Sequence, residues 1–148
     1  MKTFIALAVS IVLVSIFFCP MAMAAPPIPS DVQMVQPDPS LPKEIAGFWG
    51  KWEGGDSLTK QMFFLIIEKI DEERASGYTW RSSTPSNPAV AGWERWEAKI
   101  MKEYGKYKLW RSVRFGQSGF INLEWTLKGE YLDSSSPRGS GARYTRVP

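Results

Sequence analysis

From Gly47 onward, apolar and polar residues alternate in short segments separated by turn residues. This is the period-two pattern of strands that bury one face. Glu94 to Lys106 has the Glu, Lys and Met content of a helix, but Trp96, Ala98 and Ile100 fall on one face and Arg95, Glu97 and Lys99 on the other. Period two therefore fits it better. Tyr104-Gly105 predicts a two-residue hairpin turn, with Gly supplying a positive φ. Its register opposes Ile100 to Leu109, Ala98 to Arg111, Trp96 to Val113 and Glu94 to Phe115. Gln117-Ser118-Gly119 reads as a three-residue turn that opposes Phe115 to Ile121, Val113 to Leu123, Arg111 to Trp125 and Leu109 to Leu127. Two independent turns thus send the same residues inward, and a slip of one residue would destroy that agreement.

Upstream, Glu72-Glu73 joins Gln61–Asp71 to Arg74–Ser82 and sets Ile67 opposite Tyr78 and Leu65 opposite Trp80 on a core face. The other face of the same strand carries Met62, Phe64 and Ile66, so the segment is apolar on both sides. Ser83 to Ala91, with Pro85 and Pro88, reads as the longest loop of the first half. Ile121 to Tyr131 alternates without interruption and reads as one strand or two, and Ala142 to Val147 follows the Ser134–Gly141 turn cluster as the last strand. The expected fold class is all-β: an antiparallel up-and-down meander of seven or eight strands closing into a small barrel, which removes exposed edges. Two packed sheets are the alternative.

The segment before Gly47 is of another kind. Residues 1–24 have the form of an export signal: Lys2, an apolar run from Phe4 to Phe18, Pro20, and Ala22-Met23-Ala24 as a small-x-small cleavage site. The run is short of the ~20 residues a membrane-spanning helix needs. Residues 25–46 form a proline-rich arm, with six prolines between Ala25 and Lys43 that deny it helix or interior strand. Residues 47–148 form the barrel domain. Cleavage would remove Cys19, the only cysteine, and leave 124 residues without thiol or imidazole. The expected product is periplasmic or secreted, held by its core alone and without stable membrane insertion.

Composition narrows the chemistry. The chain has 148 residues and no His, which excludes histidine-based catalysis and the usual zinc sets. A net charge of +3, from 18 Lys+Arg against 15 Asp+Glu, is too weak and scattered for a nucleic-acid footprint. Glu94 and Glu97 lie on opposite faces of one strand and cannot flank a single bond as a glycosidase pair. Asp71-Glu72-Glu73 is a turn cluster, Ser134-Ser135-Ser136 has no base beside it, and no glycine-rich strand-to-helix loop offers a phosphate cradle. The chain therefore reads as non-enzymatic, with no cofactor implied.

At the first strand, Gly47-Phe48-Trp49 and Gly50-Lys51-Trp52 both fit Gly-x-Trp, and Arg143-Tyr144-Thr145-Arg146 closes the chain. With Ile121 to Gly129 and its Trp125, these resemble the opening and closing strands of the calycins, the group that holds lipocalins and avidins. The resemblance implies a ligand-binding barrel in which an arginine near the chain's end, Arg146 or Arg143, packs over a first-strand tryptophan, Trp49 or Trp52.

The inward set Trp96, Arg111 and Trp125 suggests a binding site. A guanidinium between indoles gains ~0.5–2 kcal/mol of cation–π attraction, but buried it needs an acceptor. That acceptor is either Glu94 or Glu68, as a structural lock, or the anionic group of a ligand; the residue also fits a place at the barrel rim. Trp80, Tyr78 and Trp52 complete the proposed aromatic lining. Trp93 and Trp110 fall on charged outer faces, suited to stacking on sugars or a partner protein. The expected role is non-catalytic binding of a small hydrophobic or amphipathic molecule. The alternative is a filled barrel acting as a structural or protein-interaction module. In either case Met62, Phe64 and Ile66 need a cover, supplied by the arm, a second copy of the chain or another protein.

Overall fold

The computed structural model describes residues 26–84, 91–114, 119–137 and 141–148. The signal sequence with Cys19, most of the Ser83–Ala91 loop, Phe115, and the Gln117-Ser118 part of the expected turn lie outside them, as do residues 138–140 of the Ser134–Gly141 cluster. One helical turn, α1 (Lys43–Ala46), precedes eight strands: β1 (Gly50–Gly55), β2 (Met62–Ile70), β3 (Arg74–Arg81), β4 (Gly92–Glu103), β5 (Lys106–Arg114), β6 (Phe120–Lys128), β7 (Tyr131–Ser135) and β8 (Arg143–Val147). Each strand pairs with the next in antiparallel order, and β8 pairs with β1, so the meander closes into a barrel. Among the described residues, closure leaves no edge strand to be shielded.

The turns follow local chemistry. Tyr104 and Gly105 have φ of 50° and 77°, the two positive values a type I′ hairpin requires. Ile100 opposes Leu109 as expected. Gly129-Glu130 is a second two-residue turn, with Gly129 at φ 61°; it divides Ile121–Tyr131 and raises the strand count to eight. At the β2–β3 turn, the Asp71 carboxylate accepts the backbone N–H groups of Glu73 and Arg74, an Asx turn.

Two registers differ from the sequence reading. Between β5 and β6, Leu109 opposes Trp125 and Arg111 opposes Leu123, because the connection runs from residue 115 to 119. That displacement is two residues, so every side chain keeps its face. Between β2 and β3 the consequence is larger. Ile70 opposes Ala75 as the turn predicts, but a bulge at Glu68 shifts the ladder by one, and above it Ile67 opposes Gly77 and Ile66 opposes Tyr78. Gly77 permits the bulge: a Cβ there would lie 1.8 Å from the Ile66 carbonyl oxygen. Tyr78 and Trp80 are thereby turned to the outer face, which corrects their expected place in the interior.

The arm supplies the cover for part of that outer face. Pro27 O accepts the Trp93 indole N–H at 2.8 Å, the Tyr78 hydroxyl donates to Asp31, and Val35 N–H donates to Glu68 O at 2.9 Å. Ile66 is only 2% exposed, while Met62 and Phe64 are half-buried. Phe64 meets Trp80 edge-on at 5.8 Å. The arm then turns through α1, whose first N–H donors reach back to Pro42 O. This places Leu41, Ile45 and Phe48 in the core with Trp52, Leu65 and Ile67, so the chain plugs one end of its own barrel.

Candidate functional site

The plugged end is sealed around Trp52. Its indole N–H donates to Phe48 O at 2.9 Å, and the Arg146 guanidinium lies 4.2 Å from the ring centre. Arg146 also donates to Trp49 O at 2.5 Å and Gly47 O at 2.6 Å. Burial against the ring pushes the guanidinium pKa below its ordinary value, and Glu130 works in the opposite sense. Gly50, at φ 125°, makes room: a Cβ there would sit 2.5 Å from Arg146 Nη1. The expected arginine-over-tryptophan pair is therefore Arg146 on Trp52. Trp49 packs at the margin of the core and donates to Glu68 O at 3.3 Å.

The interior beside it is aliphatic, with Leu65 directly opposite Trp52 and Leu109 and Leu132 also fully buried. Trp96 of β4 and Trp125 of β6 then reach past β5 and stack, with centroids 5.6 Å apart and planes at 25°. Each is 3% exposed, and among the described residues neither indole N–H makes a full hydrogen bond. The Trp125 and Ser134 side chains both lie within reach of the Tyr144 hydroxyl. Burial pushes the Tyr144 pKa up, opposed by the nearby Ser134 and Trp125 side chains. Phe63 lies across Tyr144 at 6.2 Å.

Nearer the other end, charge enters the wall. Arg111 Nη2 meets Glu94 Oε1 at 2.7 Å, with Arg111 10% and Glu94 51% exposed at the side chain. The β4–β5 ladder runs from Lys99–Trp110 down to Glu103–Lys106, and this ion pair links the two strands above it. Arg111, Trp96 and Trp125 are thus brought to one inner surface, in the same interior as Trp52. Tyr78 and Trp80 are not. Tyr78 instead belongs to an outer cluster in which Arg95 lies 5.0 Å over its ring and binds buried Glu68 at 2.7 Å. The two glutamates proposed as acceptors are both used, Glu94 by Arg111 and Glu68 by Arg95. Trp93 is tied to the arm, and Trp110 lines an outer groove with Glu73, Lys99 and Met101.

Sequence reasoning overlooked Ser134 and Tyr144 as interior polar groups. Ser134 Oγ accepts Ala142 N–H at 3.0 Å, and period-two spacing from Leu132 was the signal that would have found it. Comparison of the chain with protein-family models, curated proteins and solved structures finds no match.

Proposed function

We propose that the protein is an exported, non-catalytic binding protein for a small amphipathic molecule, held in the upper half of a calycin-like barrel. The observation that carries this reading is the stacked Trp96–Trp125 pair beside an inward, nearly buried Arg111 on the intervening strand. A floor closed by the chain's own plug directs a guest to the far end. Aromatic faces with a few fixed polar groups are what a small-molecule site needs. The Arg146–Trp52 stack supports the calycin assignment, because the resemblance implies that pair.

Intrinsic fluorescence tests it. Amphipathic ligands are expected to shift tryptophan emission in the natural chain and much less in Trp96→Phe, and non-denaturing mass spectrometry is expected to find a co-purifying small molecule. An emission spectrum unmoved across the panel, with no co-purifying mass, overturns the proposal. The rival reading, action through the outer face of β2, loses area to the arm, which covers Ile66. Phe64→Glu is accordingly expected to leave the mass measured by light scattering unchanged.

A further inference from the structure

We propose that the outer groove at Trp110 is a second binding site, independent of the interior one, and that it takes the ring of a neutral sugar. The groove lies where the β2–β3 turn ends and the β4–β5 hairpin runs on. The Glu73 carbonyl accepts the Ile100 N–H at 2.7 Å, which fixes the turn against β4. Arg74 opposes Lys99, and Lys99 opposes Trp110. Cross-strand partners share a face, so these three form one outer row, roughly 10 Å from end to end at the usual strand spacing. Met101, which is 42% exposed, and Glu72 and Glu73 of the turn complete the lining.

The charges of this groove set it apart. Elsewhere on the outer wall neighbouring charges are joined: Lys108 holds Glu103 and Glu124, and Asp133 holds Lys128 and Arg143. Two carboxylates and two cations line this one groove, yet among the described residues Glu72, Glu73, Arg74 and Lys99 form no ion pair. Arg74 and Lys99 are moreover like charges directly opposite each other, an arrangement that costs stability. Of the two tryptophans on the outer faces, Trp93 gives its N–H to the arm, while Trp110 is half-buried and lines the groove. An aromatic face rimmed by unpaired donors and acceptors matches a pyranose, whose C–H face packs on a ring while its edge hydroxyls both donate and accept. Hydroxyl oxygens would accept from Arg74 and Lys99, and hydroxyl hydrogens would go to Glu72 and Glu73, all as charge-assisted bonds. A charged ligand gains less, since an anion meets the two carboxylates and a cation meets Arg74 and Lys99.

Methyl glycosides test this by NMR titration of the protein labelled with 15N. The glucoside, galactoside and mannoside are the neutral probes, the glucuronide is the anion, and the glucosaminide is the cation at about pH 6. The Trp110 indole cross-peak, assigned by Trp110→Phe, is expected to move with at least one neutral probe while those of Trp96 and Trp125 stay in place. That probe is expected to bind tighter than either charged one and to keep its affinity in high salt, because it carries no charge to be screened. Trp110→Ala is expected to lose about tenfold in affinity, as truncation of an aromatic anchor does, and Trp110→Phe, which keeps a stacking face, to lose less. Lys99→Met changes an exposed side chain and is expected to weaken binding in a protein that folds normally. A Trp110 cross-peak unmoved by all three neutral probes overturns the site and leaves the interior reading standing. Tightest binding by the glucuronide or the glucosaminide overturns the neutral ligand. Undiminished binding in Trp110→Ala or in Lys99→Met moves the sugar out of this groove and overturns the proposal as well.

Discussion

At the floor, Trp52 donates its N–H to Phe48 O and carries Arg146 on its face, and Arg146 in turn holds two backbone carbonyls. Elsewhere in the same interior, Trp96 and Trp125 lie face to face, and among the described residues neither N–H makes a full hydrogen bond. The residue type and the burial are alike, but the satisfaction of polar groups is not. A fully paired cluster contributes to stability and specifies one arrangement. An unpaired one costs stability, and such costs collect where a molecule is to be bound. On the proposed function, the contrast assigns stability to the Trp52 cluster and recognition to the Trp96–Trp125 pair.

The largest expected effect breaks that contrast if it fails. Trp52→Phe leaves Phe48 O unpaired, removes part of a packed ring and weakens the cation–π contact, for a loss of about 2–4 kcal/mol. Trp96→Phe removes a similar volume but also removes an unpaired donor, so its net cost is expected to stay within about 1 kcal/mol. Urea denaturation of the two variants measures both. Equal losses would mean that the upper tryptophans are as structural as the lower one.

A smaller pair of changes sharpens the same point with arginines. Arg146→Met strands the carbonyls of Gly47 and Trp49 and is expected to cost about 1–3 kcal/mol. Arg111→Met releases Glu94, which is 51% exposed and returns to water, so less than about 1 kcal/mol is expected. Amide exchange at residues 47–50 should rise in the first variant and stay unchanged in the second.

Much of the barrel was legible because period two survives errors. The β5–β6 register was displaced by two, yet Leu109, Arg111, Val113, Leu123 and Trp125 kept their expected faces. An error of one has no such protection, and the Glu68 bulge is an error of one. It moved Tyr78 and Trp80 out of the interior, although Gly77 in mid-strand was a readable sign of it. The arm was among the expected covers of the outer β2 face, but its contacts were not legible, since Asp31 and Pro27 mark no partner until Tyr78 and Trp93 face outward. Arg111 was placed inward with Glu94 among its acceptors, because a buried guanidinium requires one. The unaccepted indole N–H groups could not be read at all: whether a donor finds an acceptor depends on atomic geometry, which no alternation pattern encodes.

The smallest expected effect lies on the outer wall, where Asp133 joins β7 to its neighbours. Arg143 binds its carboxylate through two nitrogens, at 2.8 and 3.1 Å, and Lys128 lies 3.1 Å away. The Arg143 hydrogen bonds, with Lys128 adding to them against the opposing effect of burial, hold the Asp133 pKa down at about 2 rather than 3.8. A carboxyl whose pKa is lower in the folded state stabilises the fold above its unfolded value and loses that contribution as pH falls through the folded one. The contribution is therefore expected to be whole above about pH 4 and gone near pH 2. Arg143 and Lys128 are 64% and 63% exposed, so screening limits it to below about 1 kcal/mol. Asp133→Asn should lower the urea midpoint slightly at pH 7, converge with the natural chain by about pH 2, and lose its effect in high salt. The Arg146→Met loss should be far less sensitive to salt, because stacking and backbone carbonyls, not an ion pair, hold that side chain. Equal salt dependence for the two would place the Trp52 cluster and the outer wall under the same electrostatics and remove the distinction between them.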